Sequence, residues 1–401
     1  MLVKLKYLLK EVERGFQASQ NLLVEKDSLS TGRSYLSWFN IGDLTNSYLF
    51  ESQKYLLKDN IPLTKIYPPN SLLIAVDGAT IGKLGISTTP FVMNSHCCVL
   101  SCNKSLEMKY LYYYLLLLND FDYFSKISHG SIFQGITIET LKSIKIPFCS
   151  LSNQQETISS LDQHCSLIHQ LLSKIDLLLK KLGEYQEALL YDTLVHQKAP
   201  TTIIKLKYLS TLKGRIGWQA LTTQEYQQQG AYLVTGVNIQ QGVIDWSSCH
   251  HVSIERYEMD PNIQLQEQDL IITKDGTIGK VALIQHLPSI ATLNSGLMLI
   301  RKKSSVFYSE KYLYYLLSSF YFHDWYRLTL KPNSTILHLY QKDFLNFPVL
   351  LSPLNVQQEL CTFLDHKMTL LIKLQSHYQS LKVHLGEYQT SLLYETFQHL
   401  S

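Results

Sequence analysis

The chain carries almost no excess charge: 36 Lys and Arg stand against 33 Asp and Glu, a net charge of +3 over 401 residues. A balance this close excludes a histone-like binder of polyanions but permits local basic patches that face nucleic acid. No long apolar run is present. The longest, YLYYYLLLL at 110–118, falls far short of the roughly 20 residues that span a bilayer, so no membrane association is expected. The opening MLVKLKYLLKEVERG has charges throughout and no apolar stretch leading to a cleavage site, so no secretory leader is expected. Cysteines are few: seven, an odd number, with no C-x-x-C pair. That argues against a disulfide framework and for a reducing compartment, the cytoplasm.

The signatures of catalysis are missing too. There is no G-x-S-x-G elbow, no glycine-rich dinucleotide fingerprint and no defensible Ser-His-Asp order. YPPN at 67–70 lacks the Asn/Asp-Pro-Pro-aromatic order of adenine amino-methyltransferases. ATIGK (79–83) and GTIGK (276–280) put Lys83 and Lys280 after a glycine turn, but Leu84 and Val281 follow where a phosphate-cradling loop needs Ser or Thr. A tight turn between strands is the plainer reading, and a lysine there can still meet a DNA phosphate. His96, Cys97, Cys98 and Cys102 are close in sequence, but the corresponding stretch SGLMLI (295–300) has no ligands. Buried free cysteines on a strand are therefore expected rather than a metal site, and Cys249-His250-His251 is a weaker candidate still. No catalytic residue, metal or cofactor is expected in this chain, which has the look of a recogniser.

What is present is a duplication. LGEYQEALLYDTL (182–194) returns 203 residues later as LGEYQTSLLYETF (385–397). IPFCSLSNQQETISSLD (146–162) matches FPVLLSPLNVQQELCTFLD (347–365), and KLKYL, GFQA/GWQA, ATIGK/GTIGK and KYLYYYLL/KYLYYLLS recur in the same order. A repeat of this length is a pair of domains and not a solenoid. The α/β regions, 1–150 and 201–354, mix short strands with a buried helix near 108–121 and its counterpart. In 151–198 and 355–401 the pattern changes to long helices. From Gln154 to Val195 there is no proline and one glycine, Gly183. Ile168, Ile175, Leu182 and Leu189 fall seven apart, with Leu171, Leu178 and Tyr185 as a second row. The second copy has Leu371, Tyr378, Leu385 and Leu392, with Leu374, Leu381 and Tyr388. Such seams predict two long helices packed on each other. Gly183 and Gly386 cost helix stability of roughly 1 kcal/mol each against alanine, which predicts a close approach of helix backbones or of a partner.

The expected fold is thus α/β (α+β) in two copies, with two long coiled-coil helices packed on each other and an internal pseudo-two-fold repeat. Polar, loop-like stretches hold the candidates for reading base edges: Arg33, His129, Ser131 and Gln134 in the first half, and Arg215, Trp218, Gln219, Asn333 and Ser334 in the second. Lys83 and Lys280 join them as candidates for phosphates. Any one of these, taken singly, is as well explained as plain surface, and the helix tyrosines as core.

This combination resembles the specificity (S) subunits of type I restriction–modification systems. The resemblance rests on the two GTIGK-like turns, on Pro147 with Gln154-Gln155-Glu156 and Pro348 with Gln357-Gln358-Glu359, on the long helix after each, and on GRIGW (214–218). It implies two target-recognition domains at opposite ends of an antiparallel pair of long helices, each domain reading one half of a split site in double-stranded DNA. It implies helices that act as a spacer and dock two modification (M) subunits, which hold S-adenosylmethionine and methylate adenine at N6. Restriction/motor (R) subunits would then join, bringing ATP and Mg2+. The first half departs from the pattern in its ERGFQA and in an extra residue in DGAT. The rival readings are a standalone methyltransferase or nuclease, opposed by the missing motifs, and a coiled-coil scaffold with no DNA role.

Overall fold

The computed structural model describes residues 1–30, 33–49, 51–129, 135–215, 221–329 and 338–400. It divides into two compact units, Met1–Ile175 with Gln379–Ser401, and Asp176–Tyr378. The two long helices, Leu151–Val195 and Leu354–Gln398, have 45 residues each, and each contributes part of its length to both units. Among the described residues, no helix is long and apolar enough to cross a membrane.

Unit 1 is built on a five-stranded sheet in the order Leu9–Arg14, Cys97–Cys102, Ser71–Ala75, Leu84–Ser87, Ser47–Leu49. Alternate residues of a strand face opposite sides, and here both sides are buried. Leu72, Ile74, Cys98 and Leu100 join one core; Leu73, Ala75, Cys97 and Val99 join another. The first core is closed by the helix Met108–Asp120 and by Leu161, Cys165, Leu393 and Phe397 of the long helices. A second sheet, Leu23–Glu25, Lys54–Leu57, Tyr35–Phe39, Phe91–Met93, covers the other side, its last pair parallel.

Unit 2 repeats the plan. Its main sheet runs Ser210–Lys213, Leu297–Lys302, Leu270–Thr273, Val281–Leu283. Its second sheet runs His250–Val252, Ala231–Val234, Ala291–Leu293, again ending in a parallel pair. The helix Glu310–Leu317 takes the place of Met108–Asp120, with Leu190, Leu194, Leu364, Met368 and Leu371 of the long helices in the same core.

The Gln-Gln-Glu motifs are structural. Gln154 is fully buried; its side-chain oxygen accepts from the Glu107 amide at 2.9 Å and its amide donates to the Ser105 and Cys149 carbonyls at 3.0 Å. Gln357 does the same between the Ser309 amide and the Ser352 carbonyl. Each glutamine satisfies backbone groups where strand gives way to helix, groups that would be costly to bury unpaired.

Two expectations are corrected. By its alternating apolar residues LKSIKIPF (141–148) is expected to be one strand ended by Pro147, but the helix Ile138–Ser143 precedes a short strand, Lys145–Pro147, with Thr137 capping the Thr140 amide. In the long helices the first seam row faces inward: Ile168, Ile175 and Leu371 are buried, and Leu182, Leu189, Tyr378, Leu385 and Leu392 half-buried. The second row does not. Leu171, Leu178, Tyr185, Leu374, Leu381 and Tyr388 are exposed, and the inward row runs instead through Cys165, Leu172, Leu179 and Gln186. A spacing of four after each seam residue, rather than three, is what these helices bury. Nor does Gly183 or Gly386 permit a close approach within the chain, since a Cβ at either would meet nothing within 4 Å.

Candidate nucleic-acid interface

In each unit three of the singled-out stretches converge at one end of the main sheet. In unit 1 the turn after Ser71–Ala75 has glycines with positive φ at Gly78 (81°) and Gly82 (86°). Gly82 is required on a second ground: a Cβ there would come within 2.5 Å of the Phe124 ring. Asp77, at the head of this turn, forms a bridge with Gly135, and His129 pairs with Gly135 through both backbone bonds at 3.0 Å. His129 and Gly135 are thereby held at the glycine turn. The strand Leu9–Arg14 ends at the same place. The Arg14 guanidinium donates to the Asp77 carboxylate at 2.7 Å, His96 Nδ1 lies 3.0 Å from the same oxygen, and Lys65 Nζ donates to the Arg14 carbonyl at 2.9 Å.

Unit 2 places its parts alike. Gly276 (68°) and Gly279 (90°) carry the turn, and a Cβ at Gly279 would meet His323 at 2.7 Å. Asp275 forms a bridge with His338, whose Nδ1 also pairs with the Asp275 carboxylate. The Leu339 amide donates to the Lys274 carbonyl at 2.9 Å, holding Leu339 beside the turn. The strand Ser210–Lys213 leads into GRIGW here, with Gly214 beside the Lys274 side chain.

The charged groups on this shared frame differ. Strand pairing sets Val99 opposite Glu13 and Leu299 opposite Lys213, so Gly214 holds the position of Arg14. The turn aspartate is paired with Arg14 of the strand end in unit 1 and with His338 in unit 2, where Lys274 lies instead beside Gly214.

The candidates fare unevenly. Ser131, Gln134, Trp218, Gln219, Asn333 and Ser334 lie outside the described residues. His129 is exposed at the convergence. Lys83 is exposed at the exit of its turn, and its carbonyl accepts from the Ala75 amide at 2.8 Å. Lys280 is exposed but lines a groove beside the long helices with Lys311, Tyr315 and Asp365. One reading is corrected. Arg215 does not offer its guanidinium outward: it is 3% exposed, donating to the Leu293 carbonyl at 3.0 Å and to Thr292 at 3.3 Å, and burial lowers its affinity for a proton. Arg33 is exposed but precedes the strand Tyr35–Phe39, whose far end meets Asn94 at the convergence. At about 3.3 Å per residue, Arg33 stands roughly 20 Å back from it.

The sequence alone does not single out Arg14, Lys65, Lys274 and His338 for this cluster, and suggests His96 only as a metal ligand. Arg14 carries one signal, since it immediately precedes the repeated GFQA. The cysteines beside it are core. Cys97 and Cys98 point to opposite faces of the sheet, and burial pushes their thiols up to about 12 and about 11.

The long helices present a second repeated feature. Leu167 and Leu171, with Leu381 and Tyr388, are exposed in unit 1; Leu370 and Leu374, with Leu178 and Tyr185, are exposed in unit 2. Apolar side chains thus stand exposed at matching positions of both copies.

A family described as type I restriction modification DNA specificity domain matches residues 16–177 and 206–379. A chain from a structure concerned with complex assembly and conformational transition of the type I R-M system aligns over 99% of this chain and 97% of its own, with a TM-score of 0.73 and 15% identity. The type I restriction-modification S subunit from M. genitalium aligns over 99% and 96% with a TM-score of 0.44 and 16% identity. For the HsdS subunit from Thermoanaerobacter tengcongensis the values are 99% and 96%, 0.48 and 14%.

Proposed function

Since the chain belongs to the type I restriction–modification DNA specificity family, we propose that it is the subunit that selects the DNA site for a complex whose chemistry lies in other chains. Each unit reads one half of a bipartite, asymmetric site in duplex DNA. The long helices set the spacing of the halves and dock two M subunits. N6-adenine methylation with S-adenosylmethionine, and ATP- and Mg2+-dependent cleavage, belong to the M and R partners.

The observation that carries this reading is the repeated convergence with different side chains upon it. The frame of sheet end and glycine turn recurs in both units, while the side chains upon it differ: Arg14 and His96 in one, Lys274 and His338 in the other. Two readers of unlike half-sites require a common scaffold and unlike contacts. Exposed Arg, Lys and His suit phosphates and guanine edges, and the amide side chains Gln134 and Asn333 suit adenine. The exposed Leu and Tyr positions, alike in both copies, suit two copies of one partner. With no Cβ, Gly183 and Gly386 leave room for that partner's backbone.

The test is to express the chain with its M subunits in a host lacking other N6-adenine methylation and to map the methylated adenines. A two-part site with unequal halves is expected. Methylation without such a site, or methyl transfer by the chain alone, would sink the reading.

A further inference from the structure

Both units contain one further arrangement that the family's frame does not demand. In unit 1, Asp162 of the first long helix receives the Lys109 ammonium at 2.6 Å on one oxygen and the Tyr113 hydroxyl at 2.6 Å on the other. In unit 2, Asp365 of the second long helix receives Lys311 at 2.7 Å and Tyr315 at 2.5 Å in the same way. Lysine and tyrosine are four residues apart on one helix, so they share a face and meet one carboxylate together. Each tyrosine is buried, and burial together with the neighbouring carboxylate pushes its hydroxyl proton affinity up, so it remains a donor.

The apolar core already holds each α/β region on its long helices, but hydrophobic contact is non-directional and would tolerate sliding or rotation of one helix on the other. A carboxylate with both oxygens bound to one helix face tolerates neither, because charge-assisted hydrogen bonds are short and geometrically specific. The same three side chains persist in both copies, although surfaces around them have diverged. We infer that Asp162 and Asp365 are positioning residues, clamps that fix the seat of each recognition region on the helices and so decide which half-site spacing the protein accepts. This rests on the reading of the chain as a two-part DNA reader.

The experiment uses the chain with its M subunits, carrying Asp162→Asn, Asp365→Asn, Tyr113→Phe or Tyr315→Phe, with methylated sites mapped in cells. Each variant should keep both half-site sequences and also accept spacers one base pair longer or shorter, the preference for the parental spacer falling about tenfold, the worth of one charge-assisted hydrogen bond. Variants that assemble, melt with the parental protein and keep only the parental spacer would overturn the proposal. So would loss of one half-site's sequence, since a clamp acts on placement and not on base contacts. If an Asp→Asn complex fails to assemble, the Tyr→Phe variants decide, because they remove one hydroxyl and leave the ion pair. A parental complex that methylates no two-part site refutes the functional reading instead. The clamp is then judged on the chain alone by hydrogen exchange in Met108–Asp120 and Glu310–Leu317: faster exchange in the variants is expected, and unchanged exchange overturns it.

Discussion

The Arg14 guanidinium lies 2.7 Å from the Asp77 carboxylate, and in unit 2 the matching strand position is Gly214. Arg14 is held at the convergence by the Asp77 carboxylate while its side chain stays 44% exposed. An exposed ion pair is worth little, about 0 to 1 kcal/mol, so the pair orients the arginine more than it stabilises the fold.

Arg14→Ala is accordingly expected to leave the melting temperature nearly unchanged and to relax or abolish recognition of one half-site only, at about 1–3 kcal/mol if the arginine meets a base edge. Arg215→Ala should do the opposite. It removes bonds to Leu293 and Thr292 from a buried site, costing unit 2 roughly 1.5–3 kcal/mol of stability. Thermal melts and methylation mapping of the two variants separate the roles; the same phenotype from both would refute the distinction.

Leu171→Glu and Leu374→Glu change exposed positions. Substitutions of this kind usually move stability within about 0.5 kcal/mol, so both variants should fold. If the exposed positions are covered by the M subunit, a buried charge there will weaken assembly, by 2 kcal/mol or so at a central contact. Co-purification of the M subunit with each variant reads this out, and full recovery at parental salt would place the docking surface elsewhere. Ile168→Ala, by contrast, empties a buried position and should cost about 2–5 kcal/mol of stability.

Stability should fall in alkali. Burial raises the thiols of Cys97 and Cys102 to about 12, and those of Cys98, Cys165, Cys249 and Cys361 to about 11, from an ordinary value of 9.0. Above pH 9 the unfolded chain loses these protons while the folded chain keeps them. The unfolded state then binds fewer protons, so folding free energy declines as pH rises from about 9 toward 11. Melting temperatures in a reducing buffer should drop across that window, and Cys97 and Cys98 should resist alkylation at pH 8 until the protein unfolds. Rapid modification of either in the folded protein would contradict their burial.

The sequence was most legible where one physical rule dominated. Strand–turn–strand at 71–88 follows from a continuous apolar run broken by glycines, and the long helices follow from apolar periodicity without proline. It was least legible where geometry chooses between equal neighbours. Leu171 and Cys165 are both apolar and both near Ile168, and only the crossing of the helices decides which is buried. Arg215 looks like an ideal reader of guanine, yet it turns inward to the Leu293 carbonyl and the Thr292 hydroxyl. Arg14 is a better candidate because the register Cys98–Arg14 ends its strand at the Asp77 turn, a pairing between residues too distant in sequence to foresee.

The ruler role of the helices can be tested by length. One heptad adds about 10.5 Å to an α-helix at about 1.5 Å per residue. It falls only about 20° short of two full turns, so the inward row keeps facing inward. A base pair occupies about 3.4 Å of duplex, so a heptad corresponds to about three base pairs. Because both long helices contribute to both units, lengthening one alone would leave the other too short. The insertions are therefore paired, one beside Ser173 and one beside Ser376, its counterpart 203 residues on. With M subunits present, the variant should methylate sites with the parental half-sequences separated by about three more base pairs. Three base pairs also turn the duplex by roughly a quarter to a third of its 10–10.5 base-pair helical repeat, so activity should be reduced even at the best new spacer. A single heptad on one helix should instead lower assembly. An active paired variant that keeps the original spacer would show that the helices do not measure the distance.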